Sequence, residues 1–303
     1  MSIIYHYTTV DALLGMLKEC SSSNKKLKMW ATHSMFMNDP TEYEYGKEIC
    51  QDLLRDIEEE LGVDGMDRLS NSMYTDSMKE YFKSCEIGSS NIPTAIYNGK
   101  PYVISLSKLR DDLKMWIPYS NNGRGVAIGF NKEKLNKYLE DLRNQEDASY
   151  DFTIRDCIYK FDEENFINIK NSLKMYYDII QQAENISREG DEITESDMYA
   201  ARLEYILLLN SQVASFVKIR DYEYEQEVRC KINKAKDIKF RESNGLLIPY
   251  VELEIPVEAV DNIIIGPTLD AERMKLSLEM LLNAKSVKRG IDIVTSKVLY
   301  RAK

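Results

Sequence analysis

The stretch Tyr102–Phe130, YVISLSKLRDDLKMWIPYSNNGRGVAIGF, constrains the chain more than any other. Tyr102 to Ser107 is rich in β-branched and aromatic residues and reads as a short buried strand. Asp111 is placed to cap a short helix carrying Leu113, Met115 and Trp116, which Pro118 ends. Asn121 to Gly125 then reads as a tight turn, because Asn and Gly tolerate positive φ, and Gly125 to Phe130 as a second strand. Two strands are thus joined by a helical lid that holds one of only two tryptophans and wedges Arg124 between glycines. That is more elaborate than a core hairpin needs; a purely structural hairpin is the competing reading.

The 303 residues around this stretch suffice for one large domain or two small ones. Hydrophobic residues at 44% and charged residues at 30% are ordinary for a soluble globular protein. A net charge of -10 argues against a surface built to coat nucleic acid or an anionic membrane. Five scattered cysteines without C-x-x-C spacing fit a reducing compartment and no structural zinc. With no signal-peptide pattern at MSIIYHYTT and no apolar run of spanning length, the expected location is the cytoplasm.

Along the chain, Ile3 to Tyr7 reads as a strand leading into a helix that Thr8 caps, with Asp11 answering three residues on. Leu27 to Trp30 reads as a second strand. Asn38-Asp39-Pro40-Thr41-Glu42 resolves into an N-cap, a first-turn proline and a capping-box glutamate, with Asn38 the member least explained. The helix it starts runs to Gly62, and Ser70 to Phe82 is expected to form another. Asn131 caps a helix to Arg143, and Phe152 to Tyr159 reads as a strand. Phe166–Ile186 and Glu195–Ile219 show long helical patterns. Strands are expected at Val228–Ile232, Tyr250–Ile255, Asn262–Ile265, Ile291–Val294 and Lys297–Tyr300, with a helix from Asp270 to Ala284. With no repeats and no linker, the expectation is a single α+β domain over 1–303, interrupted by a helical insertion at about 131–220.

Three places put polar groups where a core alone would not ask for them. Strand alternation sets His6 on one face and Tyr5 and Tyr7 on the other, just before Thr8. Ser105 and Ser107 share a strand face. Tyr222 to Arg229 is expected to enter a strand with Glu225 and Glu227 on one face, Arg229 offsetting their repulsion. With two histidines in the chain, a His-based metal site is not expected.

In order, these blocks resemble an uncharacterised family of bacterial proteins: Tyr5 to Thr8, Asn38 to Glu42, Ser105 to Phe130, Tyr224 to Arg229 and Ile263 to Gly266. More distantly, the succession His, Ser-x-Ser, Glu-x-Glu resembles the three-motif layout of the ADP-ribosyltransferase superfamily. That resemblance implies an ADP-ribosyltransferase-like split β-sandwich with helical insertions, and NAD as substrate. It implies that His6, with Tyr7 and Thr8, holds the adenosine ribose, and that Ser105 and Ser107 buttress the nicotinamide pocket. Tyr102 or Tyr119 is the stacking candidate, Trp116 and Arg124 belong to the lid over NAD, Glu227 is the catalytic carboxylate, and Glu225 orients the acceptor.

The chemistry is coherent on its own terms. Breaking a nicotinamide–ribose bond passes through a cation-like sugar, which a nearby carboxylate stabilises, and nicotinamide leaves without a metal. The expected function is an intracellular bacterial toxin or effector, for example in phage defence, with an antitoxin as a possible partner. The acceptor is a protein or RNA or DNA; the lysines near residues 25–28 and 231–239 are the candidate basic track, with a solvated face as the bland reading. Two other classes stay open: an inactive binding or sensor module, and a magnesium nuclease built on Glu225 and Glu227.

Overall fold

The computed structural model describes residues 2–37, 42–63, 101–144, 152–160, 213–232, 237–243, 245–268, 270–288 and 290–300, with isolated positions at 68–70 and 167–178. The chain groups into two compact units. The first joins Met1–Met37, Tyr102–Cys157 and Asp221–Lys303; the second joins Asn38–Pro101 and Ile158–Arg220.

The first unit holds β1 (Ile3–Thr8), α1 (Val10–Met16) and β2 (Lys26–His33), and the second opens with α2 (Glu42–Leu61). The first unit resumes with β3 (Tyr102–Ser107), α3 (Leu113–Tyr119), β4 (Val126–Asn131), α4 (Lys132–Arg143) and β5 (Phe152–Asp156). It ends with β6 (Glu227–Ile232), β7 (Lys239–Ser243), β8 (Leu246–Pro256), β9 (Val260–Ile265), α5 (Ala271–Ala284) and β10 (Asp292–Thr295). The architecture is mixed α and β: a ten-stranded sheet ordered β10-β9-β4-β1-β3-β2-β8-β7, with β6 and β5 added beyond β3. Every pairing in it is antiparallel except β9 with β10.

One edge of β3 is shared. Tyr5 of β1 pairs with Ser107 at its end, and Thr32 and His33 of β2 pair with Val103 and Tyr102 at its start. The other edge pairs with β6 along its whole length, Tyr102 with Ile232 through Ser107 with Glu227. Because β1 and β2 leave the same edge, the strands diverge, and their apolar faces close on one core. Ile4, Met29, Ala31, Ile104, Leu106 and Val228 all belong to it. Leu135 and Leu139 of α4 and Leu278 and Leu282 of α5, each an i,i+4 pair, seal it. Each such buried side chain contributes roughly 1.5–3 kcal/mol. A second cluster, on the opposite face of β1, packs Tyr5 and Tyr7 against Met115 and Trp116 of α3.

Most element expectations hold, with boundary changes that have local causes. Thr9, not Thr8, caps α1, accepting from the Ala12 amide at 3.2 Å, because Thr8 is still in β1 and pairs with Val126. Asp112, not Asp111, caps α3, accepting from the Lys114 amide at 2.8 Å. Asn131 caps α4 as expected. Lys297–Tyr300 forms no strand, while β7, absent from the sequence reading, does. The first part of the expected helical insertion, α4 and β5, belongs to the first unit. The segments Asn38 to Thr41 and Ser70 to Phe82, expected as a helix start and a helix, lie wholly or almost wholly outside the described residues, as does most of Phe166–Ile219. No helix among the described residues is long and apolar enough to cross a membrane.

In the second unit, Cys50, Leu54 and Ile57 of α2 pack with Tyr177, Val213 and Val217. Glu42 is buried there and lies 3.6 Å from the buried Lys218 ammonium, an ion pair that the capping reading did not include. The Glu58 carboxylate accepts from the Ser70 amide at 3.1 Å and from the Ser70 and Tyr177 hydroxyls.

Gly125 leads into β4 where the chain passes closest to β1. A methyl group there would overlap the Thr8 carbonyl oxygen and lie 2.9 Å from Ser120 Cβ. Gly125→Ala is expected to destabilise the protein by roughly 3 kcal/mol, since the obstructing atom is backbone and cannot swing away. Urea denaturation checks this; a loss within about 0.5 kcal/mol, the range of inert surface changes, would show that β1 and β4 yield easily.

Candidate functional site

The site is built at the C-terminal end of β3. The Ser107 hydroxyl donates to the Glu225 carbonyl oxygen at 2.6 Å and accepts from the Leu109 amide at 3.0 Å. The Lys108 amide donates to the Gln226 carbonyl at 3.1 Å. These bonds staple β3 to a 3-10 helix over Arg220–Glu225 and to Gln226, whose φ of 44° turns the chain into β6. A non-glycine residue in this left-handed region costs about 1 kcal/mol or more and is held there by its surroundings. The turn corrects one expectation. Glu225 ends the 3-10 helix and Glu227 begins the strand, so the two do not alternate along one strand face; both instead flank Ser107.

Both carboxylates are buried, Glu225 at 3% and Glu227 at 4% exposure, as is Arg229 at 3%. Arg229 donates from Nε to Glu227 Oε1 at 2.9 Å and from Nη2 to Oε2 at 3.0 Å, a two-pronged pair. This is the geometry in which a guanidinium fits a carboxylate best. The Tyr119 hydroxyl donates to Glu225 Oε1 at 2.6 Å, tying α3 to the turn. The three expected motifs therefore occupy neighbouring strands, β1, β3 and β6.

Alpha-helix α3 is held as a lid. Tyr7 donates to the Leu109 carbonyl at 2.9 Å and accepts from the Asp112 amide at 3.3 Å, and its ring meets Trp116 edge-on at 4.8 Å. Asp111, released from capping, accepts from Trp116 Nε1 at 2.7 Å, the Ser296 hydroxyl at 2.6 Å and the Lys297 amide at 2.8 Å. Trp116, expected to belong to a lid over a ligand, is fully buried within that lid, where an indole this large finds more apolar contact. Arg124 is exposed on the Asn121–Gly125 turn. Thr8 is buried in the β1–β4 pairing.

His6 stands where β1 departs from β3. Its Nδ1 donates to the Ser105 carbonyl at 2.9 Å, so the ring replaces a ladder hydrogen bond that the divergence removes. A carbonyl can only accept, so the neutral ring carries its proton on Nδ1 and offers Nε2 as an acceptor. Tyr5 and Glu227 flank Ser107 on two edges, a separation of roughly 10 Å by strand spacing. His6, next along β1, therefore borders the carboxylate site without joining it. The signal for this was available in the alternation of β1, but not the branching of β3 that gives it meaning.

Among the described residues of the lysine clusters, most are paired or buried. Lys26 pairs with Glu254 at 3.3 Å, Lys28 with Glu19 at 2.7 Å and Glu252 at 3.1 Å, and Lys239 with Glu252 at 2.7 Å. Lys231 is wholly buried. Lys26, Lys28 and Lys239 fit a solvated, ion-paired face, whereas buried Lys231 fits neither that nor a basic track.

A family model described as a protein of unknown function (DUF2971) matches residues 115–230. That span includes Trp116, Tyr119, Arg124, Glu225, Glu227 and Arg229, and leaves out β1 and β3. No curated protein and no solved structure matches the chain.

Two expectations follow. Arg229→Met strands a buried carboxylate and is expected to cost about 3–5 kcal/mol, whereas the double variant Glu227→Leu/Arg229→Met costs less than the single. Urea denaturation of all forms gives the comparison, and additive losses would deny the coupling. For His6, burial is the main cause holding the pKa below its ordinary 6.5; the Ser105 bond opposes it and the Arg241 charge adds to it. Folding thus favours the neutral ring, and that stabilisation is present above pH 6.5 and lost as pH falls below it through the folded-state value. The fall in stability on acidification is expected to be shallower in His6→Gln; an identical slope would remove His6 as its source.

Proposed function

We propose that the chain is an NAD-consuming ADP-ribosyltransferase with a split β-sandwich of that superfamily's kind. The carrying observation is the adjacency of β1, β3 and β6, which carry His6, Ser105 with Ser107, and Glu227, with Glu225 on the 3-10 helix that leads into β6. The divergence of β1 and β2 from one edge of β3, over a shared core, supports the fold part of the reading.

In this reading His6 takes the adenosine ribose through Nε2, and Glu227 lies against the nicotinamide ribose. The nicotinamide–ribose bond breaks with its electron pair leaving on nicotinamide, and the carboxylate stabilises the sugar cation until an acceptor nucleophile attacks. Arg229 fixes the carboxylate's orientation. Ser107 is then a positioning residue, since its hydroxyl is spent on the Glu225 carbonyl and the Leu109 amide. Tyr119, through Glu225, links lid position to the site. A role as an intracellular toxin or effector follows from the chemistry, because transfer of ADP-ribose disables its acceptor; a protein acceptor suits the paired lysines better than a nucleic acid.

One observation favours a second reading, an inactive binding module: both Glu227 oxygens are engaged by Arg229 in a buried pair. The nuclease alternative has less behind it, since among the described residues no group of three His, Cys, Asp or Glu is arranged to hold a metal ion.

Release of free nicotinamide from NAD by the purified protein is the expected result. Glu227→Gln is expected to slow it by roughly 100-fold or more, the usual cost of one preorganised electrostatic contact. No release from the wild-type protein favours the binding module, and release at an undiminished rate from Glu227→Gln would unseat the carboxylate.

A further inference from the structure

Strand β7, which the sequence reading missed, carries Arg241. Cross-strand partners share a sheet face. Thr32 opposite both Tyr250 and Val103, and Ser107 opposite Glu227, therefore belong to one polar face with Trp30, Ser105 and Arg229. Arg241 lies over this face. Its guanidinium is 5.6 Å from the Trp30 ring centre and 5.8 Å from that of Tyr250, and Nη2 donates to Thr32 Oγ1 at 2.9 Å.

The neighbouring cations differ from it. Lys26, Lys28 and Lys239 each pair with a glutamate, and Glu252 and Glu254 are taken by them. Among the described residues, no carboxylate is within ion-pair distance of Arg241. Its partners are two aromatic rings and one hydroxyl, which leaves most of the five N–H groups of its planar fork without a described acceptor. Desolvation is the main cause lowering its pKa, yet a guanidinium stays charged, so this is a half-buried cation with no counter-ion among the described residues.

Its position is specific. Thr32 meets β3 at Val103, and the His6 ring meets the same edge at Ser105, two residues and roughly 6.6 Å further along. The Arg241 charge is felt at His6. A fixed guanidinium fork, a neutral imidazole acceptor and aromatic rings thus converge at the divergence of β1 and β2. A fork of this kind suits a phosphate, the imidazole suits a sugar hydroxyl, and both together suit a nucleotide.

We propose that Arg241 binds a phosphate group of a nucleotide ligand whose ribose is held by His6. In its full form, with the ligand being NAD and the group its diphosphate, this rests on the transferase reading; the anion site itself does not.

The test titrates ADP, which has the sugar and diphosphate but no nicotinamide, into wild-type protein, Arg241→Gln and Arg241→Lys by calorimetry. Melting curves accompany each. Loss of a charge-assisted bond predicts roughly 10- to 100-fold weaker ADP binding in Arg241→Gln, with a smaller loss in Arg241→Lys. Nicotinamide riboside, which has no phosphate, is expected to bind all three alike. Equal ADP affinity in wild type and Arg241→Gln, or no ADP binding to wild type, overturns the proposal and makes the stack structural. Should Arg241→Gln fail to fold, Arg241→Lys carries the comparison. Arg241-dependent ADP binding without nicotinamide release from NAD would sink the transferase reading and leave the anion site standing. Nicotinamide release with Arg241-independent ADP binding does the reverse.

Discussion

The sharing of one β3 edge between two strands is the constraint on which the rest of the first unit depends. A strand in a sheet interior normally satisfies each edge with one neighbour. Here Ser107 is met by β1 and Tyr102 with Val103 by β2, so the backbone between them needs another partner. The His6 ring supplies it at Ser105. Divergence from that edge lets β1, β4 and β9 fold one way and β2 and β8 the other while their apolar sides meet in a single core. It also opens, beside His6, the only kind of place in a well-paired sheet where a side chain can sit between strands.

The second constraint is charge on β6. All six of its residues are buried, with Val228, Cys230 and Ile232 in the core and Glu227, Arg229 and Lys231 on the other face. Desolvating two charges costs several kcal/mol each, and a two-pronged pair at 2.9 and 3.0 Å recovers much of it without exceeding what apolar residues would give. Stability alone therefore does not account for an ionic stripe in a strand of this burial. The left-handed Gln226, the short Ser107 staple and the Tyr119 contact fall at the same point. Local rules broken together in this way are characteristic of a functional site rather than of a core.

Much of the fold was legible because its signals are local. The alternation of Tyr102–Ser107, the Asn131 cap and the i,i+4 leucines of α4 and α5 each act within a few residues, and each appears where expected. Boundaries slipped by a residue where two acceptable caps adjoin, as at Thr8–Thr9 and Asp111–Asp112; tertiary pairing then decided between them. Lys239–Ser243 was missed because four of its five residues are polar, and it becomes a strand only by pairing with β8. Glu225 and Glu227 were read correctly as neighbours and wrongly as one strand face, because nothing in Tyr-Glu-Gln-Glu announces a positive φ at Gln226. Arg241 carried no sequence signal at all, since its meaning comes from Trp30 and Thr32, more than two hundred residues away.

The polar face of the β3 sheet joins these pieces. Arg241 over Tyr250 and Thr32 lies toward one side of β3, and Arg229 with Glu227 lies on the other. Between them stand Ser105 and Ser107, with the His6 ring entering from β1. The order across this face is cation, small hydroxyls, carboxylate, with the His6 imidazole at the edge of β3 beside Ser105. A ligand complementary to that order has an anionic group toward Arg241, hydroxyls toward the middle and positive charge toward Glu227. On the proposed transferase reading, a dinucleotide with a cationic terminal base has its diphosphate toward Arg241 and that base toward Glu227. On the same face Arg229 pairs with Glu227 in two-pronged fashion, and a guanidinium beside a buried carboxylate offsets much of the cost of desolvating its charge.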